Sequence, residues 1–363
     1  MTLTTTATEL PRLMQCIGSR NMPSLIPNGG NQQDRDEGNA AHWLAEQVFN
    51  EGIADSGMTA PNGYVITDDM IEHVKDYVSA LDCGEMETDT SWSGQGFEVR
   101  GRADHLVYRA DGYHAGGMSF SQLTVDDFKY GWGLISPERN WTLISHAIGW
   151  CVKNNTAPDR IVLRIHQPRP YHPDGTLREW SCSHEELMGF WHQINARLSN
   201  PSDELSSGEQ CRKCHARFDC RAFDASVYNA LDVVQMPFDD SLPKEVLTEE
   251  YALFERAAQI IKIGKEAREE LISHRIKMGE VFQGYSLERR YGNRQWKPGL
   301  TGKALSIATG LDLSKDGIVT PAEAVRRGMS EEAKEALCSR AMLEPKLKRI
   351  DADAKARAVF GDR

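Results

Sequence analysis

The sequence lacks any long apolar run, and no segment approaches the ~20 uninterrupted apolar residues that cross a membrane as a helix. Residues 1–6 lack the basic segment followed by an apolar one that marks a secretory signal peptide. Internal repeats and low-complexity runs are also absent. We therefore expect a folded protein of the cytoplasm, without a membrane partner.

An excess of positive charge is missing as well, since the formal net charge of the 363 residues is −11. This net charge argues against a protein that binds nucleic acid unspecifically through a basic surface. It does not exclude a nuclease, because a local basic groove matters more than the total charge, and acidic metal ligands themselves lower the sum. The hydrophobic content of 40% is sufficient for a large core.

Hydrophobic periodicity predicts an α/β fold, with a mixed β-sheet flanked by helices. Helices are predicted over 10–19, 38–49, 67–81, 140–153, 185–198 and 248–278, and strands over 92–99, 101–108, 125–129 and 161–167. A turn-rich segment, 236–243, divides the chain into a core at 1–235 and a C-terminal region at 236–363. That region is predicted to be helical apart from a strand or hairpin at 284–297.

Two of the predicted strands carry the acidic residues around which the chain is organised. Asp104 lies in the first, and Asp127 and Lys129 lie in the other with one residue between them. Side chains in a strand alternate between faces, so Asp127 and Lys129 share a face and Asp126 points to the opposite one. Two carboxylates and a lysine could hold a divalent cation and a water, as phosphodiesterases do, although an isolated Asp–Lys pair is more often a surface ion pair.

An upstream helix supplies a further candidate ligand. His42 and Glu46 stand four residues apart, which places the imidazole and the carboxylate on one helix face. Without the acidic strands this pair would be a core-edge histidine with a glutamate neighbour. With them, His42 is a plausible metal ligand.

The sequence has eight cysteines, and Cys211, Cys214 and Cys220 form a close triplet. In a cytoplasmic protein such clustering indicates a metal or a cluster rather than disulfides. A fourth ligand must come from elsewhere, and Cys16 is the candidate, with His215 as a substitute. Thiolates suit either an iron–sulfur cluster or zinc. The other cysteines are mostly expected to be small buried residues: Cys83, Cys151, Cys182 and Cys338.

The order of these motifs resembles the RecB-like branch of the PD-(D/E)xK nucleases, which includes Cas4-type and AddB-type exonucleases. The chain resembles more closely a phage and prophage family, DUF2800, which has been placed in that superfamily. The resemblance covers about residues 10–325. Its motifs are found at Cys16, 38–42, 127–129, 211–220 and 284–296.

The resemblance implies a restriction-endonuclease-like core that binds Mg²⁺ or Mn²⁺. The implied ligands are His42, Asp104, Asp127 and the backbone carbonyl of Phe128. Such a cation lowers the pKa of a water and neutralises charge on the phosphate, while Lys129 orients the water or stabilises the transition state.

The resemblance also implies that the four cysteines of the predicted site hold a [4Fe–4S] cluster, with zinc as the alternative. Joining Cys16 to a triplet near residue 215 would restrict the unfolded chain and so stabilise the fold.

One stretch departs from the family pattern. The helix after the Asp-x-Lys strand usually carries Gln and Tyr, whereas Thr142 and His146 stand at the corresponding positions here. Both retain polar atoms that could hydrogen-bond a phosphate or a water, or they are simply polar residues on a half-exposed helix. The change puts the handling of the DNA strand in question rather than the metal chemistry.

Basic and aromatic residues supply candidate DNA contacts, chiefly Arg290 and Trp296 in the predicted hairpin. A solvated charged face is the simpler interpretation of each such group. The segment 312–323 loosely fits a calcium-binding EF-hand loop, but Thr320 and Pro321 more simply predict the start of a helix.

The sequence thus predicts a metal-dependent DNA nuclease, with exonuclease action the favoured mode. The resemblance implies that it works in phage or prophage recombination, repair or replication. DNA is the expected partner, together with a phage single-strand annealing or replication protein. The alternative is a non-catalytic nucleic-acid-binding or scaffold protein that keeps the nuclease fold.

Overall fold

The computed structural model describes residues 3–24, 26, 32–55, 57–115, 118–199, 202–233, 242–297, 300, 302–313 and 319–349. Its strands are β1 (Leu3–Thr6), β2 (Glu85–Asp89), β3 (Trp92–Gly94), β4 (Phe97–Arg100), β5 (Arg102–Ala115), β6 (Met118–Phe128), β7 (Arg160–His166), β8 (Leu177–Ser183), β9 (Tyr285–Trp296) and β10 (Cys338–Arg349). Its α-helices are α1 (Leu10–Gln15), α2 (Gln32–Glu51), α3 (Asp68–Ser79), α4 (Trp141–Asn154), α5 (His184–Ser199), α6 (Arg221–Val233), α7 (Lys244–Lys277), α8 (Gly302–Thr309), α9 (Pro321–Arg326) and α10 (Glu331–Leu337). Within these residues no helix has both the length and the apolar character to cross a membrane.

The central sheet is mixed, as predicted, and has the strand order β2-β5-β6-β7-β8. Strands β6 and β7 are parallel, whereas the other neighbouring pairs are antiparallel. Parallel neighbours need a long crossover connection, which α4 provides. A smaller sheet, β1-β4-β3, and a separate two-stranded sheet, β9-β10, complete the strand pairing.

Helix α4 is buried on nearly every side. It begins where the Asn140 side chain accepts hydrogen bonds from the amides of Thr142 and Leu143, and it ends at Asn155 in a left-handed conformation. Apolar residues of α4, the central sheet, α1, α5 and the small sheet form one continuous core. A Cβ atom on Gly149 would lie 1.9 Å from the carbonyl oxygen of Thr90, so only glycine allows that approach.

Helices α2 and α3 cover the opposite face of the central sheet. Thr67 caps α3 by accepting a hydrogen bond from the Met70 amide. The ring of Tyr77 stacks on Phe128 with centroids 4.5 Å apart. Because β6 alternates its side chains, Val125 enters the α4 core while Phe128 enters the α2–α3 core. The last residues of β6 therefore lie between two cores that fix their position.

The C-terminal region packs on the rest of the chain through α7. Gly264 of α7 faces Val227 of α6, where an added Cβ would lie 2.7 Å from a valine methyl. The predicted division after residue 235 falls outside the described residues and stays a prediction. Thr320 caps α9 as predicted, whereas residues 314–318 of the loosely EF-hand-like segment lie outside the described residues.

Several predictions of secondary structure were wrong. The segment 92–99 forms two short strands, because Gly96 turns the chain with a φ of 80°. The first helix stops at Gln15 and a short 3-10 helix follows at Ile17–Asn21. Residues 338–349, predicted as helical, form β10 against β9. Strands β1, β2 and β8 were not predicted.

Candidate active site

The predicted acidic residues meet at one end of the central sheet, where β5 begins and β6 ends. Nδ1 of His42 lies 3.4 Å from Oδ1 of Asp104. Nζ of Lys129 lies 2.7 Å from Oδ1 of Asp127. The two carboxylates sit at adjoining positions of the β5–β6 pair, whose register matches His105 with Asp126. Residues far apart in the chain are thus brought to one edge of the sheet.

The backbone of Phe128 fixes the orientation of Asp104. Its amide donates a hydrogen bond of 2.7 Å to Oδ2, so that Oδ1 is the oxygen facing His42. The predicted ligand role of the Phe128 carbonyl stays a prediction. Gly101 precedes Asp104 in the motif, and its close packing requires glycine. An added Cβ would lie 2.8 Å from the hydroxyl of Thr90 and 3.0 Å from Nδ1 of His146.

The charges of the site are strongly coupled. Burial alone would raise the pKa of Asp104, but His42, Lys129 and the Phe128 amide outweigh it and hold that pKa well below its usual value. Burial and the negative Asp104 raise the pKa of Asp127 despite Lys129. Burial would lower the pKa values of His42 and Lys129, yet the carboxylates leave both raised. Asp104 is therefore ionised and Lys129 is a cation at neutral pH.

Glu87 is a site residue that the sequence did not reveal. It lies on β2 with a φ of 51°, in the left-handed region that favours glycine. Its carboxylate, the His42 imidazole and the Asp104 carboxylate offer ligand atoms that all lie within 4.8 Å of one another. Burial and the charge of Asp104 raise the pKa of Glu87. Among the described residues, this is the group whose spacing suits a metal ion.

Asp126 points to the sheet face opposite Asp127. Its two oxygens contact Nδ1 of His105 and Nε2 of His166, each at 2.9 Å, and all three side chains are buried. These contacts join β5, β6 and β7 directly beside the candidate site. Asp126 therefore holds the strand ends in register.

Three further residues were predicted to lie near the metal or the DNA, namely Glu46, His146 and Thr142. Glu46 contributes to the raised pKa of Glu87, which places the two carboxylates near each other. His146 is buried, its Nδ1 lies 2.7 Å from the Thr90 hydroxyl, and burial lowers its pKa to about 4. It is therefore neutral and turned inward. Thr142 lies in the first turn of α4, where its amide donates to Asn140.

The two predicted DNA contacts of β9 differ in exposure. Arg290 is exposed opposite Leu343 of β10. Trp296 packs against the C-terminal core and donates from Nε1 to the carbonyl of Val319 at 2.7 Å. This placement disfavours base stacking by Trp296.

The four cysteines of the predicted site line one cavity and are all buried. Arg12 and Arg217 also line it, and the Ser206 amide lies 3.4 Å from Sγ of Cys16. Burial raises the pKa of the Cys211 thiol to about 11. Nε2 of His215 lies 2.9 Å from the carbonyl oxygen of Met22, which disfavours the substitute role. Of the remaining cysteines, Cys151, Cys182 and Cys338 are buried, whereas Cys83 is exposed.

A family model described as "Protein of unknown function (DUF2800)" matches residues 5–321. The chain belongs to the DUF2800 family. No curated protein matches it. A solved structure titled "Crystal structure of SSO0001" is 15% identical, with 61% of this chain and 88% of that chain covered and a TM-score of 0.27.

The part of the chain that matches DUF2800 contains both sites. Glu87 and the predicted ligands lie within residues 5–321, as do the four cavity cysteines. Strand β10 lies beyond the match. The sheet-end site and the cysteine cavity are therefore features of the DUF2800 part of the chain.

Glu87 can be tested as a ligand in this DUF2800 chain. We expect Glu87→Gln to weaken Mn²⁺ binding by at least about tenfold, because it removes one of two carboxylates while keeping the size of the side chain. Isothermal titration calorimetry of metal-free protein measures the effect. Glu85→Gln is the matched control, since Glu85 is an exposed carboxylate of the same strand. Equal affinities of Glu87→Gln and wild type would remove Glu87 from the ligand set.

Proposed function

We propose that the chain is a metal-dependent DNA nuclease with a RecB-like, restriction-endonuclease-like core. The observation that supports this most is the convergence of His42, Asp104, Asp127 and Lys129 at one end of the sheet. A surface ion pair would account for Asp127 and Lys129 alone. It does not account for a second, half-buried carboxylate that accepts a hydrogen bond from a backbone amide and faces an imidazole.

The donor set fits Mg²⁺ or Mn²⁺. Carboxylate oxygens are the ligands that these cations prefer, and two of the three donor groups are carboxylates. His42, Glu87 and Asp104 would hold the ion, with Asp127 beside them. When bound, such an ion lowers the pKa of a water and neutralises charge on a phosphate.

The protein groups have separate tasks in this proposal. The Phe128 amide keeps Asp104 oriented, so the ligand atom is placed before the ion arrives. Asp127 holds the Lys129 ammonium at 2.7 Å, and that ammonium would donate to a phosphate oxygen as negative charge develops there. Asp126, through its two histidines, keeps β5 and β6 in register.

We propose that the cysteine cavity holds a [4Fe–4S] cluster, with zinc as the alternative. Four thiolates around one tetrahedral zinc, each ~2.3 Å from it, would lie about 3.8 Å apart. Among the described residues, the group of at least three ligand atoms within 4.8 Å of one another contains no cysteine. This supports a group larger than a single ion, which would link residue 16 to the triplet and stabilise the fold.

The competing proposal is a nucleic-acid-binding or scaffold protein that keeps this fold without catalysis. One observation favours it, namely that His146 is buried against Thr90 and cannot reach a DNA strand. The setting in phage or prophage recombination, repair or replication and the exonuclease mode rest on the family resemblance, whereas the cytoplasmic location stays a proposal from the composition of the sequence.

DNA hydrolysis by wild type and Lys129→Ala separates the two proposals. Wild type should degrade linear DNA with Mn²⁺ or Mg²⁺ and not with EDTA, and Lys129→Ala should be slower by about 10²–10³-fold, the usual effect of one lost charge-stabilising donor. Lys153→Ala is the control, since Lys153 is an exposed lysine paired with Asp89. If Lys129→Ala and wild type degraded DNA equally, the catalytic assignment would fail.

A further inference from the structure

A large aromatic side chain stands exposed beside the candidate active site. Trp132 follows Lys129 by three residues and is 69% exposed, and Leu134, two residues further on, is also exposed. Three residues span at most about 11 Å, so the backbone of Trp132 stays within that distance of Lys129. Exposed apolar surface next to a proposed reactive centre indicates a surface that binds a ligand or partner.

The loop that carries Trp132 is held firmly. Gln167, only 1% exposed, donates from its side-chain nitrogen to the carbonyl oxygens of Gly131 and Gly133 at 3.2 and 2.7 Å. Its side-chain oxygen accepts from the Ile135 amide at 3.3 Å. These hydrogen bonds hold the backbone immediately before and after Trp132. The indole is thus presented by an ordered backbone, which lowers the entropy cost of binding.

The cation beside the indole is already neutralised. The guanidinium carbon of Arg169 lies 3.8 Å from the ring centroid of Tyr130 and 5.4 Å from that of Trp132. The same guanidinium contacts both carboxylate oxygens of Glu37. Because this charge is paired, the surface is suited to the face of a base rather than to the phosphates of a duplex.

We propose that Trp132 stacks on an unpaired base of single-stranded DNA next to the scissile phosphate. This inference rests on the proposed function, which supplies the adjacent phosphodiester. Stacked nucleotides are ~3.4 Å apart along a strand, so the Trp132 backbone lies within about three nucleotides of Lys129. A stacking platform at that distance would give the site a preference for single-stranded DNA or frayed ends over intact duplex.

Fluorescence anisotropy with a labelled oligothymidylate and a duplex of equal length tests this, in EDTA so that no hydrolysis occurs. Trp132→Ala should lose about tenfold or more in affinity for the single strand, and Trp132→Phe should retain most of it, since stacking needs only an aromatic face. Duplex affinity should change little. Tyr251→Ala is the control, because Tyr251 is an aromatic residue of comparable exposure, 64%, on helix α7.

The outcomes are separable from those of the nuclease assay. Equal single-strand affinity of Trp132→Ala and wild type would overturn the platform even if wild type hydrolyses DNA. Failure of wild type to bind the oligothymidylate would overturn it as well, and would leave Trp132 as a contact for another protein. Loss of binding in Trp132→Ala alone would support the platform even in a protein that never hydrolyses DNA.

Discussion

Asp104→Asn should slow metal-dependent DNA hydrolysis by at least about 10³-fold. The change removes the negative charge of Asp104, which interacts with both His42 and Lys129. A bound divalent ion contributes several kcal/mol of transition-state stabilisation, and Asp104 is one of its proposed ligands. Asparagine keeps an oxygen that can accept the hydrogen bond from the Phe128 amide, so the fold should survive. Initial rates on linear DNA at several Mn²⁺ concentrations measure the effect.

Asp159→Asn is the matched control for this substitution. Asp159 is an exposed carboxylate near the opposite end of β6, where it accepts from the Ser121 amide at 2.8 Å. Its replacement should leave the rate within about twofold of wild type, because no ligand is removed. If both variants lost activity equally, the effect would reflect stability of the sheet rather than metal binding.

Cys214→Ser should remove the bound cluster and destabilise the whole chain. By analogy with other cross-links that close long loops, loss of the link between Cys16 and the triplet should lower the free energy of unfolding by about 2–5 kcal/mol. For a chain of this size that corresponds to a decrease in Tm of about 3–7 °C. Anaerobic purification, iron and sulfide analysis and calorimetry give both readouts.

Cys83→Ser is the control for the cysteine site, since Cys83 is exposed and lies outside the cavity. It should change neither the iron content nor the Tm. Wild-type protein that is colourless, iron-free and rich in zinc would contradict the cluster. An unchanged Tm in Cys214→Ser would contradict the stabilising role.

The sequence predicted where the candidate residues lie in those places where local rules decide the geometry. Alternation along a strand is independent of the rest of the fold, so it separated Asp127 from Asp126 correctly. The helical spacing that singled out His42 likewise placed it against Asp104. The lone Cys16 could be matched to the triplet because three thiolates leave a tetrahedral site incomplete.

Features that depend on tertiary contacts were missed. Glu87 lies in a five-residue strand whose one apolar residue is Met86, so no apolar alternation marks it, and its left-handed φ is imposed by the fold. Strand β10 is rich in charge, and its pairing with β9 decides its structure. The sequence suggested Trp296 as a base-stacking residue, but its indole packs against the C-terminal core and donates a hydrogen bond there. Trp132 drew no attention because exposure is not visible in a sequence.

The central claim is that the end of the β5–β6 pair holds a divalent cation with which the chain hydrolyses DNA. The most direct measurement is the rate at which metal-free wild-type protein hydrolyses linear DNA before and after addition of Mn²⁺ or Mg²⁺. We predict no hydrolysis in EDTA and rapid hydrolysis once either ion is added. Intact DNA under both conditions, from folded protein, would contradict the claim.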